Sequence, residues 1–170
     1  MTALPPAHRR IRSRYGEEVL VRPMAPNDGP ALCDMYDAYE TKRSVQGLPA
    51  EHDETRRRWV LGMAEEPINV IATPVGSASQ GKIVGHVCLF AMEPCTRVEL
   101  LILIHQDWRN RGLGSALLGL AIDLAREARY ECIWLVVSLR NTRAIRVYQK
   151  HCFEVCGHVG REIEMLLPLR

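Results

Sequence analysis

The chain has 170 residues and a net charge of +2, with 47% hydrophobic and 25% charged residues. This is the composition of a single globular domain, and it excludes a disordered tail, a collagen and a coiled coil. No apolar run approaches the roughly 20 residues that a membrane-spanning helix needs.

The positive charge is concentrated at the amino terminus. The first fourteen residues contain four arginines and no acidic residue, which leaves 18 of the 22 basic residues against 20 acidic ones in the rest of the chain. A nucleic-acid groove would need a basic domain, so we expect no such partner. We interpret residues 1–16 as a basic, flexible tail and residues 17–170 as one domain. No apolar segment follows the arginines, so we expect no secretory signal.

The six cysteines follow neither a metal-binding nor a disulfide pattern. They are Cys33, Cys88, Cys95, Cys132, Cys152 and Cys156. Because none of them forms a C-x-x-C pair, buried thiols in a reducing compartment explain them better. We therefore expect a cytoplasmic protein without a metal site or a membrane anchor.

In chain order, the first part of the sequence predicts strands and two helices. They are a strand at 17–22, helices at 29–40 and 50–64, and strands at 68–73, 82–90 and 96–104. Asn27 or Asp28 is suited to cap the first helix.

The hydrophobic period changes after Gly112. Apolar residues recur with a 3.6-residue period from Leu113 to Ala128, which predicts a helix. The remaining predicted elements are a buried strand at 132–137, a helix from Asn141 to His151, and strands at 153–159 and 163–167. The order β-α-α-β-β-β-α-β-α-β-β predicts an α/β fold, a mixed sheet flanked by helices.

The segment that most suggests chemistry is the bend between the strand at 96–104 and the helix after Gly112. It reads Arg109-Asn110-Arg111-Gly112-Leu113-Gly114. Glycines let a ligand approach the backbone closely, and the first amides of a helix have no partner inside the helix. The helix dipole favours an anion there, and Arg109 and Arg111 add cationic side chains. The bend therefore predicts a phosphate or diphosphate site.

Two nucleotide-binding motifs are excluded by position. A Walker A motif requires Lys and then Ser or Thr after its glycines, whereas Ser115 and Ala116 follow Gly114. A dinucleotide fingerprint requires a small residue where this chain has Leu117. A plain turn between a strand and a helix stays open as the alternative.

The bend resembles motif A of the GCN5-related N-acetyltransferase (GNAT) family, [RQ]-x-x-G-x-[GA]. A second block, containing Asn141, Ala144 and Tyr148, is similar to the family's N-x-x-A-x-x-x-Y-x-x-x-G-F. Cys152 stands where the family has its glycine, so we expect the turn into Phe153 to differ.

The resemblance implies the GNAT fold and acetyl-CoA as co-substrate. In that fold two parallel strands, here at 96–104 and 132–137, are splayed, and the pantetheine arm lies between them. The diphosphate would lie on the glycine bend. The implied cofactor-binding residues are Leu103, Ile104, Arg109, Asn110, Arg111, Gly112, Leu113, Gly114, Ser115 and Asn141.

The implied reaction is direct attack of a primary amine on the thioester. A main-chain amide near Ile104 would stabilise charge on the carbonyl oxygen. By resemblance, Tyr148 would protonate the departing thiolate. A purely structural role for Tyr148 at the edge of the core stays open.

The base that deprotonates the amine is not obvious from the sequence. Val98 and Val136 occupy the places where family members carry a catalytic glutamate. A bulge in the strand could bring Glu99 to the active face, and Glu93 and His105 are further candidates. A solvated or salt-bridged Glu99, with a chain of waters as the base, is the alternative.

The two amino-terminal helices are expected to recognise the acceptor, a small-molecule or protein amine. Their acidic residues Asp34, Asp37 and Glu40 could attract a cationic amine or form a solvated helix face. Three aromatic residues could wall a pocket or pack in the core: Tyr36, Tyr39 and Trp59. A homodimer is expected from the family. The alternative functions are a non-catalytic acyl-CoA sensor of the same fold and an interaction domain without CoA.

Overall fold

A computed structural model describes residues 8–40, 49–76, 81–92 and 96–170. In this part of the chain, eight strands form one mixed sheet that helices cover on both faces. The predicted α/β fold is therefore confirmed. None of the described helices is both long enough and apolar enough to span a membrane.

The sheet has the order β1-β2-β3-β4-β5-β6-β8-β7. Its strands are β1 (Arg9–Arg12), β2 (Glu18–Pro23), β3 (Ile68–Pro74), β4 (Gly85–Met92), β5 (Arg97–Ile104), β6 (Cys132–Ser138), β7 (Glu154–Val159) and β8 (Glu162–Pro168). The helices are α1 (Gly29–Ala38), α2 (Asp53–Met63), α3 (Leu113–Glu127) and α4 (Thr142–Lys150). Short 3-10 turns precede α1 and α3, at Pro26–Asp28 and Gln106–Trp108.

Each face of the sheet carries its own hydrophobic core, because side chains alternate between the two faces along a strand. On the α3 face, Leu117 and Leu124 of α3 pack with Val98 of β5, and α4 contributes to the same core. On the α1–α2 face, Tyr36 of α1 belongs to a core with Leu101 of β5. Residues 98 and 100 of β5 therefore face α3, and residues 99, 101 and 103 face the α1–α2 side.

β5 and β6 form a parallel pair that is short. Their register is confined to three residue pairs: Arg97 with Cys132, Val98 with Ile133, and Glu99 with Trp134. Beyond that point β5 stays paired with β4 up to Ile104, and β6 stays paired with β8 up to Ser138. The two strands part after Glu99, which confirms the predicted splay and leaves the facing backbone edges without a strand partner.

Within the described part of the predicted tail, residues 8–16, the chain forms a strand rather than a flexible segment. Arg9–Arg12 forms β1 and pairs antiparallel with β2. Ile11 packs partly buried against the α3-face core, and Arg9 forms an ion pair with Asp123 of α3. The sequence did not predict this strand, because Arg9–Arg12 contains a single apolar residue among arginines. Residues 1–7 lie outside the described part of the chain.

The other predicted elements are present, with ends that differ by at most three residues. One predicted cap is wrong: the Asp28 carboxylate does not cap α1 with its side chain. It accepts two hydrogen bonds from Arg22, at 2.7 and 2.8 Å, and one from the amide of Ala25 at 2.7 Å. The charge-assisted pair is the stronger interaction, so the carboxylate turns toward β2.

Candidate active site

The glycine bend has the backbone geometry of an anion site. Gly112 is left-handed, with φ +91°, and is the residue from which α3 starts. The amide of Ala116 bonds to the Gly112 carbonyl at 3.3 Å, so the three amides between them have no partner within the helix. A Cβ at Gly112 would meet no atom within 4 Å, and one at Gly114 would lie 4.0 Å from Ile104. Space for a ligand lies directly against these amides.

The two arginines of the bend are held by the protein rather than extended into that space. Arg111 forms an ion pair with Glu17, and its guanidinium lies 4.7 Å from the Trp108 ring and 5.0 Å from the Tyr15 ring. Arg109 donates through Nε to the Ile104 carbonyl at 3.3 Å. Both predicted cationic side chains therefore lie beside the bend, and each is engaged by another part of the protein. The positive potential at the bend comes from the amides and the helix dipole, with the arginines behind them.

The opening between β5 and β6 begins next to the bend. Leu103 and Ile104 lie in the part of β5 that has no β6 partner, as the sequence predicts. Their side chains pack on opposite faces of the sheet. Main-chain groups therefore form this edge of the opening. A linear ligand with amide groups can bond to such an edge as a strand does.

Tyr148 lies on the α3 face, in the same core as Leu135 and Val137 of β6. Its ring centroid is 5.7 Å from that of Phe153. Burial raises the pKa of Tyr148 well above its usual value. No hydrogen bond to its hydroxyl is found within the described residues. The phenol is therefore protonated at neutral pH and lies beside a strand that borders the opening.

Glu99 lies on the opposite, α1–α2 face, at the last paired position before the strands part. The register of β5 with β4 is continuous from Arg97 to Ile104, so the predicted bulge is absent. Strand alternation places Glu99 on the α1–α2 face, away from α3. Partial burial raises the pKa of this carboxylate, and no ion pair to it occurs among the described residues.

The other base candidates are less well placed. His105 follows β5, and its Nδ1 lies 3.7 Å from the Asp107 carboxylate and 3.4 Å from the Asp107 amide. These contacts hold the ring in the short turn before the bend. Glu93 lies outside the described residues. Of the three candidates, Glu99 is the one that the structure places at the point of parting.

Asn141 and Cys152 frame α4. The Asn141 side chain accepts a hydrogen bond from the Ala144 amide at 3.2 Å, which confirms it as the helix cap. Cys152 adopts φ +66°, the left-handed conformation that glycine usually provides, and the Phe153 amide bonds to the Tyr148 carbonyl at 3.0 Å. The expectation of a different turn is wrong: the turn is retained, with a strained cysteine in it.

On the α1–α2 face, charge pairing fixes α1 against α2. Asp37 accepts hydrogen bonds from Arg56 and Arg57, each at 2.8 Å, and Arg56 is only 2% exposed. Asp37 is therefore not available to attract a cationic amine. The nearby Tyr36 hydroxyl bonds to buried His86 at 2.8 Å, and burial lowers the pKa of His86 to about 3. This polar pair is a neutral part of the core.

Several contacts around the site had no signal in the sequence. Gln106 accepts from the Glu40 amide at 3.0 Å and donates to the Ala38 carbonyl at 2.9 Å, which ties the end of α1 to the turn before the bend. The Tyr39 ring lies 5.3 Å beneath the Arg109 guanidinium. Ser115 Oγ lies 2.8 Å from Nε2 of His151 at the end of α4. These contacts join segments that are far apart in the chain.

The mixed sheet parts between two parallel strands, directly beside a helix start whose first three amides have no partner within the helix. The sequence profile of the Acetyltransferase (GNAT) family matches residues 32–153. The match spans well over half of the chain, and the chain belongs to this family. Acetyl-CoA is thereby confirmed as the co-substrate, and acetyl transfer as the general activity.

Individual relatives agree with this assignment. The chain is 26% identical over 145 residues to the L-amino acid N-acetyltransferase AaaT of Escherichia coli K12, an alignment that covers 82% of this chain and 85% of that protein. It is similar in fold to the GNAT domain of Streptomyces lividans PAT, with TM-score 0.80, 18% identity and coverage of 97% and 99%. It is also similar to yncA of Salmonella typhimurium, solved with its cofactor acetyl-CoA, with TM-score 0.71, 18% identity and coverage of 89% and 94%.

Proposed function

We propose that the protein is an N-acetyltransferase that moves the acetyl group of acetyl-CoA directly to a primary amine. The observation that carries the proposal is the parting of β5 and β6 directly beside the glycine bend. Acetyl-CoA combines an anionic diphosphate with a long arm that contains two amides. The unpaired amides of the bend suit the diphosphate, and the facing edges of β5 and β6 suit the amides of the arm.

In this proposal backbone groups do most of the binding. The amides of Leu113, Gly114 and Ser115 hold the diphosphate at the positive end of α3. The main chain of Leu103 and Ile104 pairs with the arm. Asn110, Arg111 and Asn141 support these loops, Asn141 as the cap of α4. Apolar side chains at the opening are then sufficient, because the backbone supplies the polar contacts.

Glu99 is proposed as the base. An alkyl amine is mostly protonated at neutral pH, since its pKa is near 10.4 in model compounds. It must lose a proton before its nitrogen attacks the thioester carbonyl. Burial raises the pKa of Glu99, which makes the carboxylate a stronger base than an exposed glutamate. Its place at the point of parting puts it on the side from which the amine arrives.

Tyr148 is proposed as the acid. As the new carbon–nitrogen bond forms, the carbon–sulfur bond breaks and the thiolate of CoA takes up a proton. Burial keeps the proton on Tyr148 at neutral pH. A thiolate formed in the same apolar surroundings is poorly solvated and therefore a stronger base than in water, so it can take up the phenolic proton. Tyr148 and Glu99 lie on opposite faces of the sheet, and the opening between β5 and β6 connects the two faces.

An amino-acid amine is the acceptor class that we propose first, because AaaT is named for L-amino acids and aligns over 82% of this chain. A protein amine is the other class. A homodimer and a cytoplasmic location stay predictions. Cys33, Cys88, Cys132, Cys152 and Cys156 are unpaired in the described residues.

The test is a thiol-release assay with acetyl-CoA and a panel of amines that includes L-amino acids, polyamines and a lysine peptide. We expect release of CoA that depends on one class of amine, with the N-acetylated product detected by mass spectrometry. Tight binding of acetyl-CoA without turnover for any amine would instead support the sensor. Absence of binding at millimolar acetyl-CoA would argue against both the enzyme and the sensor.

A further inference from the structure

A row of apolar residues flanks the proposed base on the α1–α2 face of the sheet. Glu99 pairs with Phe90 of β4 on one side and with Trp134 of β6 on the other. Trp134 in turn pairs with Leu166 of β8. Residues paired across neighbouring strands point to the same face of a sheet, and neighbouring strands lie about 4.8 Å apart. The four side chains therefore form one row across the sheet, in which Glu99 is the only carboxylate.

The two sides of Glu99 in this row differ in what covers them. Phe90 packs against the core that α1 and α2 form with the sheet. Trp134 and Leu166 are half-buried, as is Val136, two residues further along β6. Within the part of the chain that the structure describes, these three belong to neither hydrophobic core. We call Trp134, Val136 and Leu166 the tryptophan patch.

The acidic residue closest in register to the tryptophan patch is turned away from it. Glu164 of β8 pairs with Val136 and therefore points to the same face. A Cβ built on Gly157 of β7 would lie 2.6 Å from Oε2 of Glu164, so this carboxylate lies over β7. Since β8 separates β7 from β6, the charge is on the far side of β8 from Trp134. The surface next to Glu99 on the β6 side is thus apolar and suits an uncharged group.

We propose that the tryptophan patch binds the side chain of the acceptor, and that the acceptor is an amino acid with a large apolar or aromatic side chain. The inference rests on the proposed function, in which Glu99 takes the proton from the acceptor amine. In an α-amino acid a single carbon joins the amine to the side chain. A side chain whose amine contacts Glu99 therefore reaches the neighbouring strand, about 4.8 Å away, where Trp134 lies. An apolar side chain in this place also shields the Glu99 carboxylate from water.

The test measures kcat/KM at saturating acetyl-CoA for L-alanine, L-leucine, L-phenylalanine and L-lysine. We expect L-leucine and L-phenylalanine to exceed both L-alanine and L-lysine by about tenfold or more, the size expected for apolar contacts in a pocket. Trp134→Ala should lower the value for L-phenylalanine by about tenfold and leave that for L-alanine nearly unchanged. Trp134→Phe keeps an aromatic ring and should restore most of the preference. Val159→Ala removes an apolar side chain that is 60% exposed on β7, and it should change none of these values.

Three results would overturn this inference and leave the proposed function standing. The first is equal kcat/KM of the wild type for L-alanine and L-phenylalanine, or a ratio that Trp134→Ala does not change. The second is a preference for L-lysine, which would indicate recognition by charge. The third is an equal loss for all acceptors in Trp134→Ala together with a changed oligomeric state in size-exclusion chromatography. That result would show that a second copy of the chain covers the tryptophan patch.

A binding measurement separates this inference from the proposed function. L-phenylalanine is titrated calorimetrically into the protein in the presence of CoA, which requires no turnover. Binding that Trp134→Ala weakens by about tenfold would support the inference even without acetylation of any amine, a result that would overturn the proposed function alone. Absence of both binding and turnover with every amino acid would overturn both proposals.

Discussion

The two faces of the sheet at the β5–β6 opening are built by different means. On the α3 face, the groups proposed to bind acetyl-CoA are mostly backbone amides from one short segment, 109–115, placed by a glycine with positive φ. On the α1–α2 face, side chains from distant segments make the contacts, such as Asp37 with Arg56 and Gln106 with the end of α1. A site made of backbone groups is local in sequence, whereas a site made of side chains depends on how the helices pack.

The largest expected effect comes from a substitution in the glycine bend, where backbone amides are proposed to bind the diphosphate. Gly114→Glu places bulk and negative charge where the diphosphate is proposed to lie, and it should weaken acetyl-CoA binding by more than about a hundredfold. Thermal-shift and calorimetric titrations would measure the loss. Unchanged affinity would remove the bend from the cofactor site.

Two further variants control for folding. Gly114→Ala adds only a Cβ, which would lie 4.0 Å from Ile104, so the protein accommodates it and a loss of affinity reports close approach of the ligand. Gly62→Glu adds the same charge on exposed α2, where a Cβ meets no atom within 4 Å. It should bind acetyl-CoA normally.

A second prediction tests the acid on the α3 face. Tyr148→Phe keeps the buried ring and removes the proton, and it should lower kcat by about a hundredfold or more. The Kd for acetyl-CoA should change little, because the proposed diphosphate contacts are backbone amides. Steady-state kinetics together with titration would separate the two constants. An unchanged kcat would show that water or another group protonates the thiolate.

A third prediction tests the base on the α1–α2 face. Glu99→Gln should lower kcat/KM by about tenfold, a modest effect because water can still accept the proton. Glu99 acts only when deprotonated, and burial raises its pKa, so the wild-type rate should rise with pH through a value above the usual glutamate range. The pH profile of kcat/KM should lose this limb in the variant. A profile identical to that of the wild type would exclude Glu99 as the base.

The smallest expected effect concerns the strained turn after α4. Cys152→Gly should raise the free energy of unfolding by about 1 kcal/mol, because glycine adopts the left-handed conformation without steric cost. Cys152→Ala retains the strain and should leave the stability nearly unchanged. Urea unfolding would measure both. Equal stabilities of the two variants would show that the left-handed backbone carries no measurable cost here.

Most of the fold could be predicted from the sequence. The helix α3 was evident from its 3.6-residue period, and β6 from its apolar run, because both elements bury regular faces. The bend before α3 was evident from its glycines. β1 was missed, because Arg9–Arg12 has only one apolar residue and its strand character comes from pairing with β2. Asn27 or Asp28 was predicted to cap α1; Asp28 holds the N-cap position, but its side chain makes no capping bond, because it accepts hydrogen bonds from Arg22 instead.

The sequence by itself indicated an anion site, since glycine spacing and a helix start suffice to build one from backbone groups, and its resemblance to the GNAT family implied acetyl transfer. The tertiary structure decided which side chains take part. In the folded protein Arg111 forms an ion pair with Glu17. Glu99 lies at the last paired position before β5 and β6 part. Trp134 lies beside it on β6. Side-chain contacts between distant segments arise only from packing, so local residue spacing does not predict them.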